Sequence, residues 1–147
     1  MFVENIVIRK LKREDGEGIR RVGISISRGA EEIDVKMIVE EQVKRSGDIS
    51  FVAEYEGEIV GYMISYVTSG NFGVDRCAWI AFMGVNPKFM GQGIGLRLAE
   101  EVFRVCGEMG IKDVFTSVSW DSTDLLSFFK TLGFDRSKFV TLTKVLG

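Results

Sequence analysis

The segment Val85-Asn86-Pro87-Lys88-Phe89-Met90-Gly91-Gln92-Gly93-Ile94-Gly95 places glycines at alternate positions 91, 93 and 95. Without a Cβ, a glycine lets a ligand approach the backbone closely. Ile94, Leu98, Val102, Val105 and Met109 then recur at helical spacing, so a helix begins at the last of these glycines. The first N–H groups of a helix have no partner within it and lie at the positive end of its dipole, which suits a phosphate. The spacing Gly-x-Gly-x-Gly is not the Gly-x-Gly-x-x-Gly of a dinucleotide fold, and it lacks the Lys-Ser/Thr ending of a P-loop. A tight strand-to-helix turn that holds nothing would carry the same glycines.

Composition narrows the remaining chemistry. The chain has no histidine, which removes the Ser-His-Asp and Cys-His nucleophiles and the commonest transition-metal ligand. No metal is expected. Cys77 and Cys106 sit in apolar runs and read as buried free thiols. The net charge is −2, and the basic cluster Arg9, Lys10, Lys12, Arg13 is followed at once by Glu14 and Asp15. It reads as a solvated edge, not a nucleic-acid surface. No apolar run approaches the ~18 residues that cross a bilayer, and the first residues do not read as a secretory leader. A soluble cytoplasmic protein with no membrane or nucleic-acid partner is the expectation.

The elements that must position the glycine segment follow from periodicity. With 147 residues, 46% of them apolar, the chain suits one domain over 1–147. Ile6 to Ile8 opens a strand. A helix starts near Glu14 with Ile19, Val22 and Ile26 as its apolar positions, and Gly23 and Gly29 predict that it is broken. Glu32 to Arg45 predicts a second helix with Val35, Ile38 and Val43 inward, stopped by Gly47-Asp48. Phe51 to Tyr55 and Ile59 to Val67 form a hairpin over Glu56-Gly57-Glu58. After a loop over Ser69 to Gly73, Ala78 to Val85 is a strand ended by Asn86-Pro87. Beyond the glycine helix come a strand over Val114 to Ser119 and a cap at Asp121, Ser122 or Thr123. A helix over Leu125 to Leu132 stops at Gly133. Phe139, Thr141 and Thr143 alternate with Val140 and Leu142, predicting a last strand up to Val145. The fold class is α/β (α+β), a mixed central sheet with helices on both faces.

The glycine segment resembles the acetyl-CoA loop of the GNAT superfamily of N-acetyltransferases, whose pattern runs Val-x-Pro-x-x-Arg/Gln-Gly-x-Gly-Ile-Gly. Three further segments are similar to that family in the correct order: Ile8 to Leu11 with Glu14-Asp15, Phe51 to Glu54 with Gly57 to Gly61, and Phe128 to Phe134. The resemblance implies a single GNAT-like domain with a short final hairpin and acetyl-CoA as co-substrate. It implies that backbone groups of Met83, Gly84 and Val85 pair with the pantetheine arm where two parallel strands splay apart. The N–H groups of Gly91, Gln92, Gly93, Ile94, Gly95 and Leu96 would hold the pyrophosphate, beside Met90, where the family usually has Arg or Gln. Lys88 and Arg97 are the nearest cations that could assist.

The same resemblance exposes departures around the reacting atoms. The family's glutamate before the loop has no counterpart in Ile80 to Val85, and the glutamate of the next strand is replaced by Ser117. Its tyrosine proton donor corresponds to Phe129, and its asparagine to Ser122; both are retained as cofactor contacts. Asp121 and Ser119 remain as candidates for proton handling, with Glu54 a third. Helix capping, an ordinary strand position and a solvent-facing position are their bland alternatives. The acceptor is an amine of unspecified type. Only Asp135 to Lys138 separates Gly133-Phe134 from the expected last strand, which leaves an acceptor groove that is open or completed by a second subunit, a homodimer. A CoA-binding sensor or assembly module with little turnover is the alternative to an enzyme.

Overall fold

The structure is a computed structural model that describes residues 5–26, 34–46, 49–70 and 75–147. Its strands are β1 (Ile6–Lys10), β2 (Phe51–Tyr55), β3 (Glu58–Ser69), β4 (Arg76–Val85) and β5 (Val114–Thr116), and its helices are α1 (Gly16–Ile26), α2 (Val35–Ser46), α3 (Ile94–Glu108) and α4 (Thr123–Thr131). The strands form one sheet in the order β1-β2-β3-β4-β5. The first four are antiparallel to their neighbours, and β4 and β5 run parallel.

Alternation along the strands builds two hydrophobic layers. Phe51, Ala53 and Met63 face one side with Leu98, Val102 and Cys106 of α3 and Phe129 of α4. Val52, Tyr62 and Ile64 face the other, with Ile19 and Val22 of α1 and Val39 of α2. The β2–β3 connection is a two-residue turn in which Glu56 (φ 50°) and Gly57 (φ 81°) both adopt the left-handed region, the geometry whose twist suits a hairpin.

Several sequence expectations change. Gly23 does not break α1; it lies inside the helix, and a Cβ there would sit 3.7 Å from the Tyr62 hydroxyl oxygen. Packing against the sheet outweighs the ~1 kcal/mol propensity cost of an interior glycine. In α2, Val39 is the fully buried residue, while Ile38 and Val43 are half-buried. Gly29, Gly47-Asp48, most of the predicted loop over Ser69 to Gly73, and the side chains of Ile26 and Val35 fall outside the described residues. The strand expected over Val114 to Ser119 stops at Thr116. The predicted last strand over Phe139 to Val145, and with it the short final hairpin, does not form: residues 134–147 carry no regular element. Alternation makes a segment able to be a strand, but the strand needs a sheet edge to pair with.

Cys77 and Cys106 are buried free thiols, as expected. Burial pushes both above the usual thiol range, and the charge of Asp113 adds to the effect at Cys77.

Candidate functional site

The site is built where β4 and β5 part. Their ladder covers Ala78↔Val114, Trp79↔Phe115 and Ile80↔Thr116. It ends there, although β4 continues for five residues, Ala81 to Val85. Thr116 Oγ1 donates to the Ile80 carbonyl at 2.8 Å, placing a side-chain hydrogen bond at the crotch of the fork. On its other edge β4 stays paired with β3 as far as Gly61↔Val85. One edge of β4 from Ala81 onward therefore presents backbone donors and acceptors outside the β4–β5 ladder. Backbone polar groups seek partners, and an extended ligand bearing amides fits that edge.

A bulge sits at the same place. Ile64 pairs with Phe82 and Ser65 with Ile80, so Ala81 is an extra residue on β4. Such a bulge bends its strand and increases the local twist. From the far side it is held by Ser50, fully buried, whose Oγ donates to the Ser65 carbonyl and accepts from the Ser65 N–H, both at 2.9 Å. Sequence reasoning missed Ser50, Thr116 and the bulge: a serine before a strand and a threonine within one carry no signal in a lone sequence.

The glycine segment follows directly. Asn86 N–H donates to the Val60 carbonyl at 2.8 Å, and its Oδ1 accepts from Lys88 N–H at 3.0 Å. Pro87–Phe89 forms a single 3-10 turn. Gly91 (φ 80°) and Gly93 (φ 76°) occupy the left-handed region. Gly93 caps α3 without a side-chain bond, and Arg97 N–H is the donor to its carbonyl, at 3.0 Å. The N–H groups of Ile94, Gly95 and Leu96 precede that bond and have no intrahelical acceptor. Gly95 has a different reason to be glycine: a Cβ there would lie 3.1 Å from the Phe128 ring. Gly61 on β3 is similar, since its Cβ would meet Ile94 Cγ2 at 2.9 Å. Small residues on β3 and α3 thus let the helix start sit close to the sheet, in line with the free edge of β4.

Met90 and Leu96 are exposed around this turn. Of the two cations, Arg97 is spent on the sheet, its Nη2 donating to the Ile6 carbonyl at 3.1 Å, whereas Lys88 is solvent-facing. Met83 and Val85 are half-buried and Gly84 is buried. Ser122 is the N-cap residue of α4; its N–H donates to the Ser119 carbonyl at 3.0 Å. Phe129 is buried in the core, its ring 5.1 Å from Phe134 and 5.2 Å from Phe128.

The candidates for proton handling lie beyond the end of β5. Ser119 and Asp121 are both exposed, and Ser119 Oγ accepts from Asp121 N–H at 3.4 Å. Glu54 is not free to act as a base: Arg9 Nε donates to its Oε1 at 2.8 Å. Arg9 also forks onto Asp15, both nitrogens at 2.8 Å, while Lys12 N–H donates to the same carboxylate at 2.7 Å. The bonds to Asp15, then Glu54, hold Arg9 further above its ordinary pKa. This network lines a cavity of about 310 Å³ on the α1 side of the sheet, to which the glycine segment contributes Asn86. The basic cluster thus supplies a structural clamp at Arg9. Among the described residues, no group of three or more His, Cys, Asp or Glu could hold a metal ion, and no helix is long and apolar enough to cross a membrane.

A forked parallel strand pair running into a glycine-wound helix start defines the α/β domain. The chain belongs to the acetyltransferase (GNAT) family, whose family model matches residues 20–134. It is 32% identical over 89 residues to a mycothiol acetyltransferase of Amycolatopsis mediterranei, a match over 58% of this chain and 30% of that protein's length. The fold is similar to that of a transcriptional regulator from Bacillus halodurans (TM-score 0.78, 19% identity, 96% of this chain and 99% of that one). It is equally similar to the aminoglycoside N-acetyltransferase AAC(6')-Iy in complex with CoA (TM-score 0.78, 18% identity, 95% and 94%).

Proposed function

We propose that this protein is an N-acetyltransferase, one domain over 1–147, that moves the acetyl group of acetyl-CoA to an amine by direct transfer in a ternary complex. The observation that carries the reading is the fork: the β4–β5 ladder ends at Ile80 and Thr116 while β4 runs on to Val85 and the glycine turn.

In this reading the backbone of Met83, Gly84 and Val85 binds the pantetheine amides as a third strand would. The N–H groups of Gly91 to Leu96 take the pyrophosphate, with Met90 packing at its side and Lys88 adding charge. Ser122 and the ring of Phe129 border the thioester end. Acetyl-CoA supplies an already activated acyl group; the amine nitrogen gains the acetyl carbon, the thiolate leaves, and the amine proton passes to it or to water. The protein's own contribution is chiefly placement. Holding two reactants in register reaches effective molarities of ~10⁵–10⁸ M, against ~10²–10⁴-fold for a general acid or base. Asp121 and Ser119 assist by carrying the proton outward. A second copy of the chain completes the acceptor groove, and the enzyme works in the cytoplasm.

The test is acetyl-CoA consumption against a panel of peptide, polyamine and small amines, preceded by mass spectrometry of the purified protein for retained CoA. Turnover on at least one amine is expected. Tight CoA binding with no turnover on any would reject the enzyme in favour of a CoA-binding module.

A further inference from the structure

The bulge in β4 changes which way a side chain points. Alternation along a regular strand would put Ile80 and Phe82, two residues apart, on the same face. Ile80 instead stands opposite Ser65 and Phe82 opposite Ile64, and these are adjacent residues of β3. Ile80 belongs to the core under α3, whereas Ile64 belongs to the core under α1 and α2. The extra residue, Ala81, therefore turns Phe82 onto the α1 side of the sheet. There it neighbours Trp79, whose partner Tyr66 lies two residues from Ile64 on β3. Bulges beside functional sites re-aim side chains in this manner.

The helical layer covers Ile64 but not its partner: Ile64 is 1% exposed and Phe82 is 38% exposed. Trp79 faces the same side and stacks on Phe115 across the β4–β5 ladder, with ring centroids 5.4 Å apart. Register thus groups Tyr66, Trp79, Phe82 and Phe115 on one side of the sheet, and Phe82 is the member that lies beyond the crotch, on the free part of β4. Met83 points the other way and packs on the core under α3. A Cβ on Gly95 would lie 3.9 Å from the Met83 Cε and 3.1 Å from the Phe128 ring, so the start of α3 and α4 are on Met83's side. A donor lying along the free edge of β4, with its phosphates at that helix start, leaves the opposite side to the acceptor, and the side chain there is Phe82.

We propose that Phe82 selects the acceptor, its ring packing against an aromatic or large apolar group carried next to the reacting amine. The substrate class is then an amine with such a group, in preference to a polyhydroxylated or polycationic one. This rests on the reading that the chain transfers acetyl to an amine, and deepens it. Paired aromatic rings gain more than their buried area alone supplies. Hydroxyl groups placed against a phenyl ring lose water and receive no hydrogen bond in return.

The test compares phenylalanine amide, serine amide and spermidine as acceptors at saturating acetyl-CoA. The two amides present the same α-amine and differ only in side chain. Phenylalanine amide should exceed serine amide in kcat/KM by about 10- to 200-fold, the range that added apolar surface supplies in an apolar pocket. In Phe82→Ser that ratio should fall toward one while isothermal titration shows acetyl-CoA binding like that of the wild type. Phe82→Leu should give an intermediate ratio, and it decides alone if Phe82→Ser does not fold. Equal kcat/KM on the two amides would overturn the selection and leave acetyl transfer standing. A preference for spermidine would assign the rings to cation binding and overturn it likewise. A ratio unchanged in both variants would overturn the role of Phe82. Acetyl-CoA binding with no turnover on any of the three amines, or on the wider amine panel, would overturn the transfer itself and the selection with it.

Discussion

Replacing Gly91 by alanine isolates the conformational requirement of the loop from its packing. Gly91 sits at φ 80°, and a Cβ added there meets nothing within 4 Å. Steric overlap is therefore absent, and what remains is the cost of holding an L-residue in the left-handed region, about 1–2 kcal/mol. That cost can appear in two places. If the loop keeps its shape, it is lost from folding stability and ligand affinity is unchanged. If the loop relaxes to negative φ, the N–H groups turn away and the cost moves into binding, raising the Kd for acetyl-CoA by about 5- to 30-fold. The two losses together should not exceed ~2 kcal/mol. Urea denaturation gives the first term and isothermal titration with acetyl-CoA the second. Gly91→Asn should lose less, because asparagine tolerates the left-handed region. Gly95→Ala should behave differently: its Cβ would press on Phe128 at 3.1 Å, costing about 1–3 kcal/mol of stability by overpacking. A loss of affinity beyond ~100-fold in Gly91→Ala, or no change in either measurement, would refute the reasoning.

Arg9→Met should destabilise the fold by about 2–4 kcal/mol, because it strands the Asp15 carboxylate, 6% exposed, with one backbone donor; urea titration should show this with the affinity for acetyl-CoA unchanged. Cys77 and Cys106 hold their protons more tightly folded than unfolded. The unfolded chain therefore sheds thiol protons first, and stability should fall as pH rises through the ordinary thiol range, about 8.5; Cys106→Val should flatten that slope in thermal melts between pH 7.5 and 10. Phe129→Tyr would bury a hydroxyl against Phe134 and Phe128, so stability should drop by about 1–3 kcal/mol with no gain in kcat; a large rate gain would show instead that proton donation limits turnover. With exposed Asp121 and Ser119 as the only nearby candidates proposed for the proton, kcat/KM should rise about tenfold per pH unit toward the acceptor amine's own pKa, near 7.7–8.0 for an α-amine and 10.4 for a lysine. A plateau well below that value would reveal a base on the protein.

The parts of the fold that periodicity could reach were legible. Ile94, Leu98, Val102 and Val105 do form the buried stripe of α3, and Glu56-Gly57 does turn the hairpin. The glycine turn was legible because conformation and close approach both leave a glycine in the sequence. The fork was not, because it depends on where a ladder stops. Nothing in Ile80-Ala81-Phe82 announces a bulge, and its support, Ser50, is fifteen residues from the carbonyl it binds. Gly23 misled in the other direction: a helix that is packed on a sheet keeps a glycine that an isolated one would lose. Glu54 looked like a solvent-facing carboxylate because its partner, Arg9, is forty-five residues away.

These observations bear together on how little catalytic machinery the proposed transfer requires. Ser50 and Thr116 fix the bulge and the crotch of the fork from opposite sides of β4, and Gly61 and Gly95 let α3 close onto it. All four act on the position of the backbone, and none carries a titratable group. The carboxylate nearest in sequence to the hairpin, Glu54, is committed to Arg9, and the aromatic at the usual donor position, Phe129, is committed to the core. In the proposed transfer, a site so organised directs its precision at holding the extended donor, and leaves proton transfer to groups exposed to water. Placement is worth several orders of magnitude more than a single acid or base. Under that proposal, the lack of the family's usual polar residues at Ser117, Ser122 and Phe129 is compatible with turnover so long as the fork and the glycine turn are kept.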